Sequence, residues 1–313
     1  MRKILVTGGA GFIGSHIVDA LVERGLQVRV LDNLSTGRLE NLEQSREKID
    51  FIEADLTDAT AVARAVTGID CIFHQAALAS VPRSVSQPLE THAACATATL
   101  TLLTAARKAG VKRVVYAGSS SAYGDQPTST KRESDLPLPI SPYAVAKLAG
   151  EQYCQAFAAM KAVETVTLRY FNVFGPRQDP NSEYSAVIPK FITTLLSGKS
   201  PVIFGDGKQS RDFTYVADVV QGNLKAAEAE NVSGHVLNVA SGGRVTLLEL
   251  IAHLNKLLGT KLQPKHDDPR PGDIRESQAD ITLARQHLGF EPKFDLEQGL
   301  KLSIEYYKSI VKK

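Results

Sequence analysis

The chain has 313 residues, 43% of them hydrophobic, and sets 36 basic against 34 acidic side chains for a net charge of +2. This length and apolar content suit one large α/β unit with a smaller lobe and argue against disorder. The near balance of charge, without a long run of either sign, offers no footprint for nucleic acid or an anionic membrane.

The opening Met1-Arg2-Lys3 followed by Ile4-Leu5-Val6 has the charged start of an export signal, but the apolar run stops at Thr7-Gly8-Gly9. No later run approaches the ~20 apolar residues that cross a bilayer, so a cytoplasmic protein without membrane contact is expected. Short β-branched runs at 3–6, 28–31, 50–53, 71–74, 113–117 and 166–169 alternate with helical patterns at 13–24 and 89–108. That alternation predicts a doubly wound parallel sheet covered by helices. Gly25 and Gly110 stand where those helices should end in left-handed turns.

After residue 170 the pattern changes to prolines and loops, with short strands at 202–204 and 236–239 and helices at 216–229, 247–258 and 296–310. The expected division is a nucleotide-binding domain over 1–170 and a smaller α/β substrate lobe over 171–313. A segment around 211–240 is expected to return to the first domain. Cys71, Cys95 and Cys154 are far apart, odd in number and set in apolar or helical stretches, which predicts buried thiols rather than disulfides or metal ligands. No metal site is expected.

In Ile4-Leu5-Val6-Thr7-Gly8-Gly9-Ala10-Gly11-Phe12-Ile13-Gly14 a strand runs directly into a helix with glycines three apart. Absent side chains at Gly8, Gly11 and Gly14 let the backbone close a tight turn, and the amides opening the helix at Phe12 and Ile13 can meet a pyrophosphate. Asp32, at the end of the next strand with Asn33 beside it, can accept two ribose hydroxyls and would repel a phosphate there. NAD is therefore predicted over NADP, with Arg38 nearby. Asp55 and Leu56 after the third strand, and Gln75, Ala76 and Ala77 after the fourth, occupy strand ends where cofactor riboses and bases can be lined.

Tyr143 and Lys147 lie four apart in Ser-Pro-Tyr-Ala-Val-Ala-Lys, one helical turn from each other. A free tyrosine, with a pKa near ~10, is a poor base at neutral pH. An ammonium one turn away and a cationic nicotinamide both favour its phenolate, which could then take a proton from a sugar hydroxyl. Ser119, ending the fifth strand, could hold the same oxygen, with Ser120 as the second candidate.

These residues resemble the extended short-chain dehydrogenase/reductase family, and within it the UDP-sugar 4-epimerases. The likeness runs from Lys3 to beyond Ser277, through Thr-Gly-Gly-Ala-Gly-Phe-Ile-Gly, His-Gln-Ala-Ala, Ser-Val-Pro-Arg-Ser, Ser-Ser-Ser-Ala-Tyr-Gly-Asp, Arg-Tyr-Phe-Asn-Val-Phe-Gly and Arg-Pro-Gly-Asp. It implies a Rossmann-type fold and a retained NAD regenerated at each turnover. It also implies a UDP-sugar whose C4 hydroxyl loses a proton to Tyr143, and a 4-keto sugar that turns over beneath an anchored UDP. Ser120-Ser121 stand where dehydratases of the family carry an Asp-Glu pair, which disfavours dehydration.

By the same resemblance Arg211 and Arg270 would grip the diphosphate, Asp273 the uridine ribose, and Asn172 the diphosphate or sugar, with Ser80 and Arg83 also toward the substrate. Ser277 stands where members confined to glucose and galactose tend to carry Tyr. With the small Ala186 and its neighbour Val187, it implies room for an N-acetyl group, as in the branch acting on UDP-N-acetylglucosamine and UDP-N-acetylgalactosamine. The chain departs from that branch at Ala79, where Gly is common. UDP-glucose with UDP-galactose, and UDP-glucuronate, stand as alternative substrates. A dehydrogenase or reductase that releases NADH, and a non-catalytic NAD-binding regulator, stand as alternative functions. Apolar faces over 89–108 and 143–157 resemble those that pair in family homodimers.

Overall fold

A computed structural model describes residues 2–180, 187–269 and 275–311. Its centre is a seven-stranded sheet, every pairing parallel, in the spatial order Val236–Val239, Glu164–Tyr170, Arg113–Ser119, Cys71–His74, Lys3–Thr7, Gln27–Asp32, Ile49–Glu53. Chain direction across the sheet reverses at the first strand, which lies between the second and the fourth. The crevice outside the carboxyl ends of the strands at such a reversal is where doubly wound sheets bind ligands.

Side-chain alternation explains why both faces are covered. Ile4, Val6, Val28, Val30, Phe73, Val115 and Ala117 pack into one buried layer, against the helices Phe12–Glu23 and Val216–Glu228. Their chain neighbours Leu5, Leu31, Ile72, Val114 and Tyr116 enter the opposite layer, against Ala59–Val66, Ala98–Ala109 and Pro142–Ala159. A strand buried on both faces needs apolar residues at successive positions, which is why these runs read as continuous β-branched stretches.

The expected helix over 89–108 is not one uniform helix. It divides into Pro88–His92, a π-helical turn over Ala93–Thr97, and Ala98–Ala109 ending at Gly110 with φ +72°. The wide turn coincides with a polar anchor, for the Thr99 hydroxyl donates to the Cys95 carbonyl at 2.5 Å. Such turns often mark functional sites. The three thiols are free and buried.

The strand Val236–Val239 joins the large sheet as its outer member beside Glu164–Tyr170, and the helix before it packs on the first helix. A second, four-stranded sheet orders Val245–Thr246, Ser210–Arg211, Glu276–Ala279 and Thr130–Lys131, so an excursion from the first half of the chain contributes its last strand. Beneath it a third core gathers Phe174, Phe191, Phe213, Tyr215, Leu250, Leu254, Leu300 and Tyr307.

Candidate active site

The glycine loop is built for close approach. Gly8 takes φ +67°, and a Cβ there would stand 2.6 Å from the Ala76 amide nitrogen. One on Gly14 would stand 2.1 Å from the Gly8 carbonyl oxygen, whereas one on Gly11 would keep 3.1 Å from it. The helix Phe12–Glu23 that follows has no side-chain cap at Gly11. Its first amides are therefore left for a ligand, and a helix N-terminus attracts negative charge. This cradle, with a carboxylate at the end of the neighbouring strand, fits the dinucleotide that the sequence implies.

That carboxylate, Asp32, is buried and accepts from the amides of Ala10 at 2.9 Å and Leu34 at 2.8 Å. Burial raises its pKa above the ordinary carboxylate value while the two amides pull it back. Each oxygen retains a second lone pair for a ribose hydroxyl. Asn33 donates to Asp55 at 2.6 Å, and Asp55 also accepts from the Thr57 amide and hydroxyl, bonds that hold its carboxyl below the usual range. Leu56 is buried beside it. Arg38, the residue that could have welcomed a ribose phosphate, is paired with Asp179 at 2.8 Å.

Gln75, just past the fourth strand, has its side chain already bonded within the protein. Its side-chain amide donates to Asn223 at 3.1 Å and its carbonyl accepts from Tyr170 at 3.2 Å, so the side chain belongs to a polar cluster with Asn223. The strand end itself is small: Ala76 lies against Gly8, and Ala77 packs against the Cys95, Ala96 and Ala146 cluster that Tyr143 also meets.

Tyr143 opens the helix Pro142–Ala159, whose start is fixed by Ser141 accepting from the Ala144 amide and by Pro142 in the first turn. The Ser119 side chain, at the end of its strand, lies near the Tyr143 phenol and favours its ionised form. Ser119 also pairs with Ser121 at 2.8 Å. Of the two serine candidates Ser119 is the one whose side chain bears on the phenol, while Ser120 opens the following single turn. Burial raises the phenol above its ordinary pKa, the nearby Cys95 adds to that, and the polar Ser119 side chain opposes it.

Lys147 follows one turn along the same helix and is only 4% exposed. Its ammonium sits 4.5 Å from the centroid of the Tyr116 ring. Burial lowers its pKa, against the opposing pull of Cys95, Cys154 and Glu151. Sequence reading missed this floor: Tyr116 donates to the Lys147 carbonyl at 3.1 Å, and Gly150 is small because a Cβ there would meet the Tyr116 hydroxyl at 2.3 Å. It also missed a buried chain in which His74 joins Thr7 at 2.8 Å to Thr99 at 2.9 Å. Burial brings His74 down to about 3, so the ring is neutral and one nitrogen donates while the other accepts. His74 lay within a recognised motif, but only packing shows what it bridges.

The substrate side is partly assembled. Arg211 and Ser277 are direct partners in adjacent parallel strands, so their side chains leave the small sheet on one face. Ser277 is buried, and Arg211 donates to the Ser210 carbonyl at 2.8 Å. Asn172, just beyond the strand Glu164–Tyr170, holds φ +28°, and a non-glycine residue in that region is strained. Ser80 uses its hydroxyl to cap the helix Val81–Ser86. Arg83 is committed elsewhere, with Gln87 at 3.0 Å and Glu90 at 3.2 Å holding its guanidinium on the surface. Val187 begins the helix Val187–Leu196. Ala186, Arg270 and Asp273 lie outside the described residues.

The family model of the NAD dependent epimerase/dehydratase family matches residues 4–240. The UDP-glucose 4-epimerase of Mycolicibacterium smegmatis is 38% identical over 317 residues, covering 98% of this chain and 99% of that protein. Among solved structures, the UDP-N-acetylglucosamine 4-epimerase of Methanobrevibacter ruminantium, in complex with UDP-N-acetylmuramic acid, is 43% identical. It superposes with a TM-score of 0.94 over 99% of both chains. The UDP-glucose 4-epimerase of Thermotoga maritima, with UDP-glucose, is 40% identical with a TM-score of 0.94 over 99% of this chain and 100% of that one. A glycine cradle, an acidic residue one strand away and a Ser-Tyr-Lys group on one sheet edge are thus found in a chain that belongs to the NAD dependent epimerase/dehydratase family.

Proposed function

We propose that this protein is an NAD-dependent UDP-hexose 4-epimerase that accepts N-acetylated sugars, interconverting UDP-N-acetylglucosamine and UDP-N-acetylgalactosamine, and also acts on UDP-glucose and UDP-galactose. The observation that carries the reading is the placing of Ser119, at the carboxyl end of its strand, near Tyr143 in the first turn of the helix on which Lys147 is buried one turn further on. NAD, held by the Gly8–Gly14 turn and Asp32, supplies when bound a reversible two-electron acceptor for C4 and a positive ring that favours the phenolate.

The chain's own groups do the rest. The Tyr143 oxygen, as phenolate, takes the proton of the C4 hydroxyl and later returns it, Ser119 holds the substrate oxygen in line, and the Lys147 ammonium stabilises the phenolate before the proton is taken and after it is returned. Arg211 binds the diphosphate through its planar fork, leaving the hexose free to present either face. No carboxylate follows Ser119, since Ser120 and Ser121 are its neighbours, so no acid or base stands ready for elimination across C5 and C6. Purified protein given each UDP-sugar without added cofactor should yield its C4 epimer; accumulation of NADH with an oxidised product would replace this reading by a dehydrogenase.

Ser277 is the selectivity residue of this proposal, because it is buried beside Arg211 in register. Ser277→Tyr should lower kcat/KM for UDP-N-acetylhexosamines by about tenfold more than for UDP-glucose, the cost of overfilling space behind C2. An equal loss for both sugars would mean that residue 277 does not border C2.

The reading includes a cytoplasmic homodimer. Leu89 is 84% exposed, Val85 67% and Val145 51%, on short helices that pack against the Tyr143 helix and on that helix itself. An exposed apolar cluster of this kind suits a second copy of the same surface. Sedimentation at the monomer mass across micromolar concentrations would refute the pairing.

A further inference from the structure

Glu151 lies four residues past Lys147 and so on the same face of the helix Pro142–Ala159. An acidic and a basic residue at that spacing ordinarily pair. Here they do not: both Glu151 oxygens are taken by Arg169, which donates from Nε at 2.9 Å and from Nη2 at 2.6 Å. Lys147 lies instead over the Tyr116 ring. Arg169 comes from the strand Glu164–Tyr170, and Gly118 on the adjacent strand makes space for it, since a Cβ there would stand 3.3 Å from the Arg169 Cγ. The guanidinium is further fixed 4.5 Å from the centroid of the Tyr123 ring, and both members of the ion pair are 3% exposed.

We propose that Arg169 is a positioning residue for the proton-transfer pair, holding the Glu151 carboxylate away from Lys147 so that the ammonium stays available to the Tyr143 phenol. The proposal rests on the reading of Tyr143 and Lys147 given above. The two arginine bonds are bidentate, a geometry the lysine ammonium could not match as a competitor for the same carboxylate. Were Arg169 absent, Glu151 would be left buried and charged with Lys147 as its nearest cation, and the phenol would lose its partner to a neighbour on its own helix.

Other ionisable groups face this couple and are unchanged by the substitutions below. Cys95 approaches from the π-helical turn, Tyr116 and His74 from two sheet strands, and Cys154 from the same helix.

The test is the pH midpoint of Tyr143 ionisation, read as the tyrosinate absorption difference between each protein and the same protein carrying Tyr143→Phe. Arg169→Met should raise the midpoint by about one unit, since a carboxylate then neutralises the ammonium that favours phenolate. Adding Glu151→Gln to Arg169→Met should bring the midpoint back toward the unaltered value, because the competitor is gone. Glu151→Gln alone should leave the midpoint unchanged or lowered. A double variant no better than Arg169→Met, or a raised midpoint in Glu151→Gln, would overturn the proposal by showing that the ion pair only supports the fold. Should Arg169→Met fail to fold, Arg169→Lys, which keeps the charge but cannot hold both carboxylate oxygens, should raise the midpoint in the same direction, and an unchanged midpoint there would overturn the proposal. The titration needs no sugar. Absence of C4 exchange by the unaltered protein would therefore fault the epimerase reading alone.

Discussion

Tyr143→Phe is expected to reduce turnover by about three orders of magnitude while leaving circular dichroism and the urea midpoint close to those of the parent. General acid–base groups contribute about 10²–10⁴ in rate, and this substitution deletes only the titrating oxygen. The ring stays in place, packed against the cluster of Cys95, Ala96 and Ala146. Among the described residues no backbone amide donates to the phenol oxygen, so its removal leaves no orphaned main-chain donor. KM for the UDP-sugar should change little, because the proposed anchor of the diphosphate, Arg211, is on a strand of the smaller sheet and not on the Tyr143 helix. A variant retaining parental turnover would remove Tyr143 from proton transfer altogether.

Gly14→Ala should weaken NAD retention by about a hundredfold, which corresponds to about 2.8 kcal/mol. The reason is steric and local. The added carbon would stand 2.1 Å from the Gly8 carbonyl oxygen and 2.8 Å from its carbon, both backbone atoms of the loop that must close on the pyrophosphate. No rotamer change relieves such a contact; the helix has to move away from the loop. Gly11→Ala, whose Cβ would keep 3.1 Å from the same oxygen, should be distinctly milder. Gly25→Asn is the control. No atom lies within 4 Å of its Cβ, and Asn tolerates its φ of +73° better than most residues, so cofactor content should not change. NAD released on heat denaturation of the purified variants measures all three. Equal cofactor content in Gly14→Ala and Gly25→Asn would show that the loop does not bind through close backbone approach.

Much of this was legible in the chain because the strands of a sheet buried on both faces announce themselves as apolar runs. The observed first, second and fourth strands fall within a residue of the expected limits, and the helix Leu247–Leu258 begins and ends as expected, with Thr246 and Glu249 forming its capping box. The lobe's two-residue strands, such as Ser210–Arg211 and Thr214–Tyr215, carry no periodic signal, since pairing there is set by distant partners. Within the site, Tyr143, Lys147 and Ser119 were readable because spacing on one helix and the end of one strand places them. Arg83 was assigned to the substrate from its motif, but two short helices bring Glu90 within reach of it. At the π-helical turn the Thr99 hydroxyl, which bonds the turn's own Cys95 carbonyl, is also met by His74 from a distant strand, a partner no local propensity encodes.

The outermost strand of the large sheet bears on how the chain is made. Glu164–Tyr170 leaves the ribosome long before Val236–Val239, its partner on that side, has been synthesised. Throughout that interval its outer amides and carbonyls form a bare template on which a second nascent chain could align. Once the late strand docks, Glu133 takes the amide of Asn238 at 2.7 Å and the carbonyls of Lys131 and Asp280 take its side chain, closing the margin. Fragments that stop short of residue 236 should therefore be recovered in inclusion bodies, even though every residue of the glycine cradle and the Tyr143 helix is already present in them.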